Sequence, residues 1–502
     1  MSSFWLDSIS MNNSFMKLDK DIDTEVCVIG GGIFGITCAY YLSKQGIDVT
    51  VLEQGKVCEK VSGYTTAKIT SQHNLIYKYL IDSVGEEQAK QYYKANEKAI
   101  ENIQRIVEDE GIDCDFEKQD AFVYTTDIDE LDKIKHENEA VNSLGGTSEF
   151  VERMELPFDV LGAIKFPNQA QFNPVKYVPG LTDKIVENQG KIYTDTKVID
   201  IKMDEDFYNV YTERENVVRA KFVIIASHYP FVDKLGYYFL KMYQSTSYVI
   251  GVDIHKKSFE GMYINSKDPI FSYRFAKDGD RDILLVGGSD HKTGSKIDLS
   301  KAYDNLEMEV RKYYPNCEVL YKWNTEDCIS LDKIPYIGEF SDFMPNVFVG
   351  TGFNKWGMTS SNVAANIIVD KILGIDNKYE DVFKSKRLHP IKNREELANM
   401  VKETVNSLVI NKFKVKELDF SEIKKDTGHV IEYDGEKMGI YKDVNGEIFA
   451  VKPICTHLGC LLSWNNLDKT WDCPCHGSRF DYRGKNLYNP GIKDLETVEI
   501  LN

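Results

Sequence analysis

The stretch Glu25–Glu53, EVCVIGGGIFGITCAYYLSKQGIDVTVLE, decides how the chain is read. Glu25 to Ile29 is a short apolar run of strand type, and a helical pattern follows from about Gly32 to Lys44. Asp48 to Leu52 is a second strand, ended by the acid Glu53. Strand, turn, helix and strand within about 30 residues is the layout of a βαβ unit. Gly30, Gly32 and Gly35 spell G-x-G-x-x-G at its turn, with Ile33 and Phe34 between the last two. Gly30 permits the tight turn, Gly32 lets the backbone approach a pyrophosphate, and Gly35 lets helix and strand pack closely. The helix N-terminus offers N–H groups and a positive dipole end to phosphates. Glu53 can accept hydrogen bonds from ribose hydroxyls, and an acid there disfavours the 2′-phosphate of NADP. One such fingerprint occurs, which supports one dinucleotide and leaves FAD against NAD open at this point.

Outward from this unit, length and composition bound the rest. The chain has 502 residues, a soft prior of roughly three domains. Hydrophobic residues are 42% and charged residues 28%, an ordinary globular composition. Lys and Arg number 61 against 79 Asp and Glu, a formal charge of −18. That balance weighs against nucleic acid or an anionic membrane surface as the main partner. It leaves room for a small anionic ligand in one local site. No run of 18 apolar residues occurs, so no transmembrane segment is expected. The first residues lack a basic start followed by an apolar run, so no secretory signal is expected and the location reads as cytoplasmic. Six of the ten cysteines are scattered. Cys455, Cys460, Cys473 and Cys475 fall within 21 residues beside His457 and His476, which reads as a metal site before a disulfide scaffold.

Residues 1–24 are polar and irregular, a loosely ordered lead-in by this reading. Residues 84–110 and 128–143 are helix-forming, 191–226 alternate as strands, and 243–290 are mostly β and rich in Tyr and Phe. Asn346-VFVGTGF enters a glycine turn before a helix from about Met358 to Leu373. Residues 386–416 read as a linker with an amphipathic helix over 393–410, and 417–502 as a small all-β domain. Asp434-Gly435 and Asn445-Gly446 are hairpin signals inside it.

Three stretches carry a family resemblance: Ser62-GYTTAKITSQH-Asn74, Trp323-NTEDCISLDKIPYI-Gly338 and Val349-GTGFNKWGMTSS-Asn362. They resemble flavin-contacting and adjacent segments of the D-amino-acid, glycine and sarcosine oxidase superfamily. The resemblance covers about residues 20–385, with the domain drawn at 25–385, and it turns the open choice towards FAD. It implies a Rossmann-like α/β FAD domain, discontinuous in sequence, with an inserted mostly-β substrate domain. It also implies that backbone from Gly352 through Phe353, Trp356 and Gly357 to Met358 lies against the flavin ring. Thr65 and Thr66 would lie near the isoalloxazine or pyrophosphate, and Val198 on the adenine side.

The cysteine cluster reads Cys455-Thr-His457-Leu-Gly-Cys460, twelve residues, then Cys473-Pro-Cys475-His476-Gly-Ser478. This spacing resembles that of a Rieske [2Fe–2S] domain, in which two thiolates hold one iron and two imidazoles the other. The competing reading, a zinc site using four of the six, lacks a zinc-knuckle context. By resemblance the ligands are Cys455, Cys473, His457 and His476, and Cys460 and Cys475 form a disulfide tying the two loops. Ser478 would donate a hydrogen bond to a cluster sulfur and raise the potential. Phe480 stands where high-potential members have a tyrosine, so the expected potential is below the top of the range of about −150 to +300 mV. Asn489-Pro490-Gly491 resembles the loop covering the cluster.

Together these features resemble bacterial FAD-dependent oxidoreductases carrying a C-terminal Rieske domain. The resemblance implies oxidation of an amine or amino acid at its C–N bond, with electrons leaving FAD through the cluster to an external protein or quinone acceptor. Two other readings stay open: a reductase running the current in reverse, and a non-enzymatic redox sensor. For the substrate, Arg274, Tyr248, Tyr273 and Lys355 are candidates, Arg274 because its fork suits a carboxylate. His291 reads as a loop histidine, and no motif marks His73 as a covalent flavin anchor.

Overall fold

The computed structural model describes residues 3–8, 15–232, 235–295, 297–387, 422–433 and 435–499. Its first sheet is built around strand Ile22–Ile29, which pairs in parallel with Val49–Leu52 on one side and Val217–Ile225 on the other. Met344–Thr351 and Lys191–Tyr193 extend the parallel set, and Tyr336–Ser341 closes one edge antiparallel. Strands buried on both faces need no apolar–polar alternation. Val26, Cys27, Val28 and Ile29 are buried accordingly. Helices Ile33–Lys44, Pro174–Glu187 and Gly357–Ile372 pack together over this sheet.

A second, nine-stranded sheet runs from Glu318–Ser330 through Met242–Asp253, Arg281–Lys292 and Phe271–Asp278 to Glu117–Thr125 and Gly162–Gln171. It is antiparallel except where Met262–Asn265 joins Glu117–Thr125. Its strands come from segments inserted between those of the first sheet, so this domain is discontinuous. The amphipathic helix expected at 393–410 lies outside the described residues.

The C-terminal part is all-β. Thr427–Tyr433, Glu436–Lys442 and Ile448–Val451 form one sheet, and four short strands from Ser463–Asn465 to Asn486–Tyr488 form another. Tyr433 pairs with Glu436 and Lys442 with Ile448, so both expected hairpins turn at their Gly residues, Gly435 (φ 76°) and Gly446 (φ 96°).

Residues 3–8 correct one expectation. They are not a loose lead-in: Phe4 and Trp5 are buried in the main core, and Phe4–Ser8 is a helical turn. The Trp5 indole donates to Thr65 O at 2.6 Å, and the Ser3 hydroxyl donates to Gly63 O. The segment thus props the Ser62–Thr66 stretch from beneath. The central strand also starts three residues earlier than expected, at Ile22.

Candidate functional site

The fingerprint turn has no room for side chains. A Cβ on Gly30, whose φ is +120°, would lie 2.4 Å from Ala226 O, and one on Gly35 would lie 2.0 Å from Gly30 O. The strand end, the turn and the helix start are therefore drawn together as close as backbones allow. Glu53 sits beside them, buried, with Gly31 N donating to Oε2 at 2.7 Å and Gly55 N to Oε1 at 2.8 Å. A carboxylate accepts about four hydrogen bonds, so acceptor capacity is left for a ribose. Burial pushes the Glu53 carboxyl above its ordinary value, and the two backbone donors oppose that.

From this turn a cavity, partly open to solvent, extends between the two sheets. Gly30, Gly32, Ile33, Phe34 and Glu53 line its first end, with Val198 close by. Thr65, Thr66, Phe353, Trp356, Gly357 and Met358 line it further along. Gly35 and Gly352 are absent from the wall: Gly35 is spent on packing, and Gly352 (φ 69°) turns the chain against Ser330 and Tyr336.

The second centre is the pair of loops 455–460 and 473–478. Cys460 and Cys475 form a disulfide, which leaves the thiols of Cys455 and Cys473 free and hydrogen-bonded to each other. The His457 and His476 rings lie 5.1 Å apart at 85°. His476 is 1% exposed, and its buried Nδ1 meets no hydrogen-bond partner in the protein. A buried ring nitrogen without a partner is costly unless something else binds it. Two adjacent thiols and two adjacent imidazoles on the same pair of loops fit a Rieske cluster, and the Ser478 hydroxyl hydrogen-bonds Cys455.

Comparison with known proteins agrees. Residues 25–371 match the family "FAD dependent oxidoreductase", and residues 413–499 match "Rieske [2Fe-2S] domain". The chain belongs to the FAD dependent oxidoreductase family and carries a Rieske [2Fe–2S] domain at its C-terminal end. Its cofactors are FAD and a [2Fe–2S] cluster. It is 36% identical over 99% of its length to the Rieske 2Fe-2S iron-sulfur protein YhfW of Bacillus subtilis, covering 97% of that protein. It is 21% identical to the gamma-glutamylputrescine oxidoreductase of Escherichia coli K12, over 76% of this chain and 90% of that one. Glycine oxidase from Geobacillus kaustophilus superposes with a TM-score of 0.63 at 17% identity, over 73% of this chain and 99% of that one. Among the described residues no helix is long and apolar enough to cross a membrane.

In this FAD dependent oxidoreductase the substrate candidates need correction. Arg274 does not face the large cavity. Its guanidinium donates to Thr66 O at 2.9 Å and Ala67 O at 2.8 Å, and lies 5.4 Å from the Trp5 ring. It braces the loop that carries Thr65 and Thr66 instead of holding a carboxylate. Tyr248 and Tyr273 are buried in the core of the inserted domain, away from the cavity wall. Both nitrogens of His73 are engaged, by the Tyr92 hydroxyl and by Thr70 O and Thr359 Oγ1, so it is a packed core histidine. Lys355 does reach the cavity, where it pairs with Asp290.

Two cavity residues escaped sequence reading. Lys68 Nζ donates to Tyr263 O at 3.1 Å and to the Ser272 hydroxyl, and burial lowers its pKa to about 7. Asp327 lies beside the Lys355–Asp290 pair, and burial raises its pKa to about 7, against the pull of Lys355. Both come from unremarkable positions, Lys68 in a run read for flavin contact and Asp327 on a strand. Only the fold turns them inward.

The two centres share a wall. Gln244, on strand Met242–Asp253, donates through Nε2 to His476 O at 2.9 Å and to Asn489 O at 2.7 Å. Asn489 itself lines the cavity that runs from the fingerprint turn. Phe239 lies 5.9 Å from the His476 ring and 6.4 Å from the His457 ring. No sequence pattern marked Gln244 or Phe239.

Proposed function

We propose that this protein oxidises an amine or amino acid at its C–N bond at the FAD, and that electrons leave through the Rieske cluster to an external protein or quinone acceptor. The observation that carries the reading is Gln244, which joins the backbone of a cluster histidine to a residue of the FAD cavity wall. The names of two relatives, a glycine oxidase and a gamma-glutamylputrescine oxidoreductase, support C–N chemistry.

In this proposal Cys455, Cys473, His457 and His476 hold the cluster. Gly30, Gly32, Ile33, Phe34 and Glu53 receive the ADP half of FAD, with Val198 near the adenine, and Gly35 serves them by letting helix and strand pack closely. Thr65, Thr66, Phe353 and the stretch from Trp356 to Met358 receive the flavin half. FAD supplies a two-electron acceptor, and the cluster supplies one-electron transfer. The chain's own part is to hold the substrate, shed water and set protonation. An amine gives up its α-hydride when its nitrogen is neutral, so the wall needs groups that exchange protons near neutral pH. Lys68 and Asp327 are suited to that, each brought to about 7 by burial. The Lys355–Asp290 pair offers either charge to a substrate's second polar group.

The test is an anaerobic titration of the cofactor-replete protein with N-methylated amino acids, glycine, D-amino acids and γ-glutamyl amines. Flavin bleaching and the cluster EPR signal are read in the same samples. A compound that bleaches the flavin, with the cluster signal following, supports the reading. Reduction of both centres by dithionite, with no response to any compound, overturns the amine assignment.

A further inference from the structure

Although the FAD site belongs by sequence to residues 25–371, one part of its cavity wall does not. Leu487, Tyr488, Asn489 and Ile492, all in the Rieske domain, line the same cavity as the fingerprint glycines. They form one continuous strap from strand Asn486–Tyr488 to Ile492, tied to the flavin domain at three places. The Tyr488 ring lies 5.2 Å from Lys60 Nζ, beside the Ser62–Thr66 stretch. The Asn489 side chain donates through Nδ2 to Ser227 O at 3.4 Å and Tyr229 O at 3.2 Å, both of the flavin domain. Lys197, next to Val198, donates to Ile492 O at 2.7 Å. Ile492 packs against the apolar cluster behind the central sheet. The strap's other face serves the cluster: Gly491 N donates to Ser478 Oγ at 2.9 Å.

We infer that this strap is part of the FAD-binding site, so that the Rieske domain closes the flavin domain over its cofactor. FAD then contacts residues of both domains, and its release requires the strap to part from Lys60, Ser227, Tyr229 or Lys197. Ligands at domain boundaries are commonly held this way. Linkage makes the effect mutual: whatever factor docking adds to FAD affinity, FAD adds to docking. The inference concerns retention of FAD only and is independent of the substrate and of the direction of electron flow.

The experiment uses the full-length holoprotein. FAD release after dilution is followed by the rise in free-flavin fluorescence for the parent, for the double variant Tyr488→Ala/Asn489→Ala, and for Val444→Ala at an exposed site of the same domain. The double variant is expected to release FAD at least tenfold faster, with an unaltered Rieske EPR spectrum, while Val444→Ala matches the parent. An unchanged release rate with an intact cluster signal overturns the inference. Should the double variant lose the cluster, hydrogen exchange of the parent with and without FAD decides. Slower exchange in 486–492 when FAD is bound supports the strap, and identical exchange overturns it. Gly32→Val separates this from the placement of FAD itself. If that variant keeps its FAD, the cavity is not the FAD site. If it loses FAD while the strap variant behaves as the parent, only the strap fails.

Discussion

Arg479 of the Rieske domain and Glu326 of the inserted domain form an ion pair with 3% and 0% of their side chains exposed. The guanidinium also reaches Asp468 at 2.6 Å and Asp472 at 3.0 Å, and Glu326 accepts from Thr246 and Thr293. Every charge in the group has partners. That is the condition under which a buried ionic cluster can persist, and it makes removal of one member costly. Arg479→Met leaves Glu326 and Asp472 buried without their cation. A destabilisation of about 3–5 kcal/mol is expected in urea unfolding of the full chain. Glu326→Gln, which keeps an acceptor for the threonines, is expected to cost less. Near-parental stability of Arg479→Met would mean that the domains do not dock through this pair.

The cluster potential should respond to Ser478. Its hydroxyl hydrogen-bonds Cys455, and hydrogen bonds to sulfur favour the more negative, reduced cluster. For a one-electron couple about 60 mV corresponds to a tenfold change in equilibrium constant, about 1.4 kcal/mol. Ser478→Ala is expected to lower the midpoint by about 60 mV or more in an EPR-monitored titration. Phe480→Tyr offers a new donor in a buried position and is expected to raise it.

The disulfide should act on cluster lifetime. Cys460 and Cys475 are 15 residues apart, and closing a loop of that size contributes about 3 kcal/mol in the chain-entropy treatment. Cys460→Ser/Cys475→Ser is expected to shorten the half-life of the Rieske EPR signal at 40 °C while leaving flavin absorbance in place. Equal half-lives would assign the bond no part in holding the two loops.

The fingerprint glycines should separate by function. Gly35→Ala drives a Cβ to 2.0 Å from Gly30 O and is expected to lower the yield of folded chain. Gly32→Ala meets only the Ser62 hydroxyl, at 3.1 Å, which can turn aside. It is expected to fold and to bind FAD less tightly, read as flavin absorbance per chain beside the melting temperature.

Lys68 should leave a signature in stability against pH. Burial lowers its folded-state pKa to about 7, below its ordinary value of 10.5. Between those limits the unfolded chain binds more protons, so this group makes stability rise with pH there. Below pH 7 the charged, buried lysine carries its full cost. Lys68→Met is therefore expected to be more stable than the parent at pH 7, with the advantage fading towards pH 10. An advantage constant across that range would place the ammonium in solvent.

The amino-acid sequence determined the two cofactor centres, because each rests on close spacing along the chain. G-x-G-x-x-G works through backbone approach within a single turn, and the two Cys/His loops carry their donors within 22 residues. Legible for the same reason were the βαβ unit around Gly30 and the Gly435 and Gly446 hairpins, while the Cys460–Cys475 bond was implied by the family resemblance. Tertiary structure decided what depends on distant segments meeting. Arg274 was one candidate for holding a carboxylate, and the fold set its guanidinium against the carbonyls of Thr66 and Ala67. Phe4 and Trp5 read as a loose lead-in because nothing local shows what buries them. Lys68, Asp327 and Gln244 carry no motif, and Asn489 read only as part of a loop over the cluster, not as part of a strap against the flavin domain. Their roles come from long-range packing that turns a lysine or a carboxylate into a cavity, or lays one domain across another, and neighbouring residues in the chain hold no record of that.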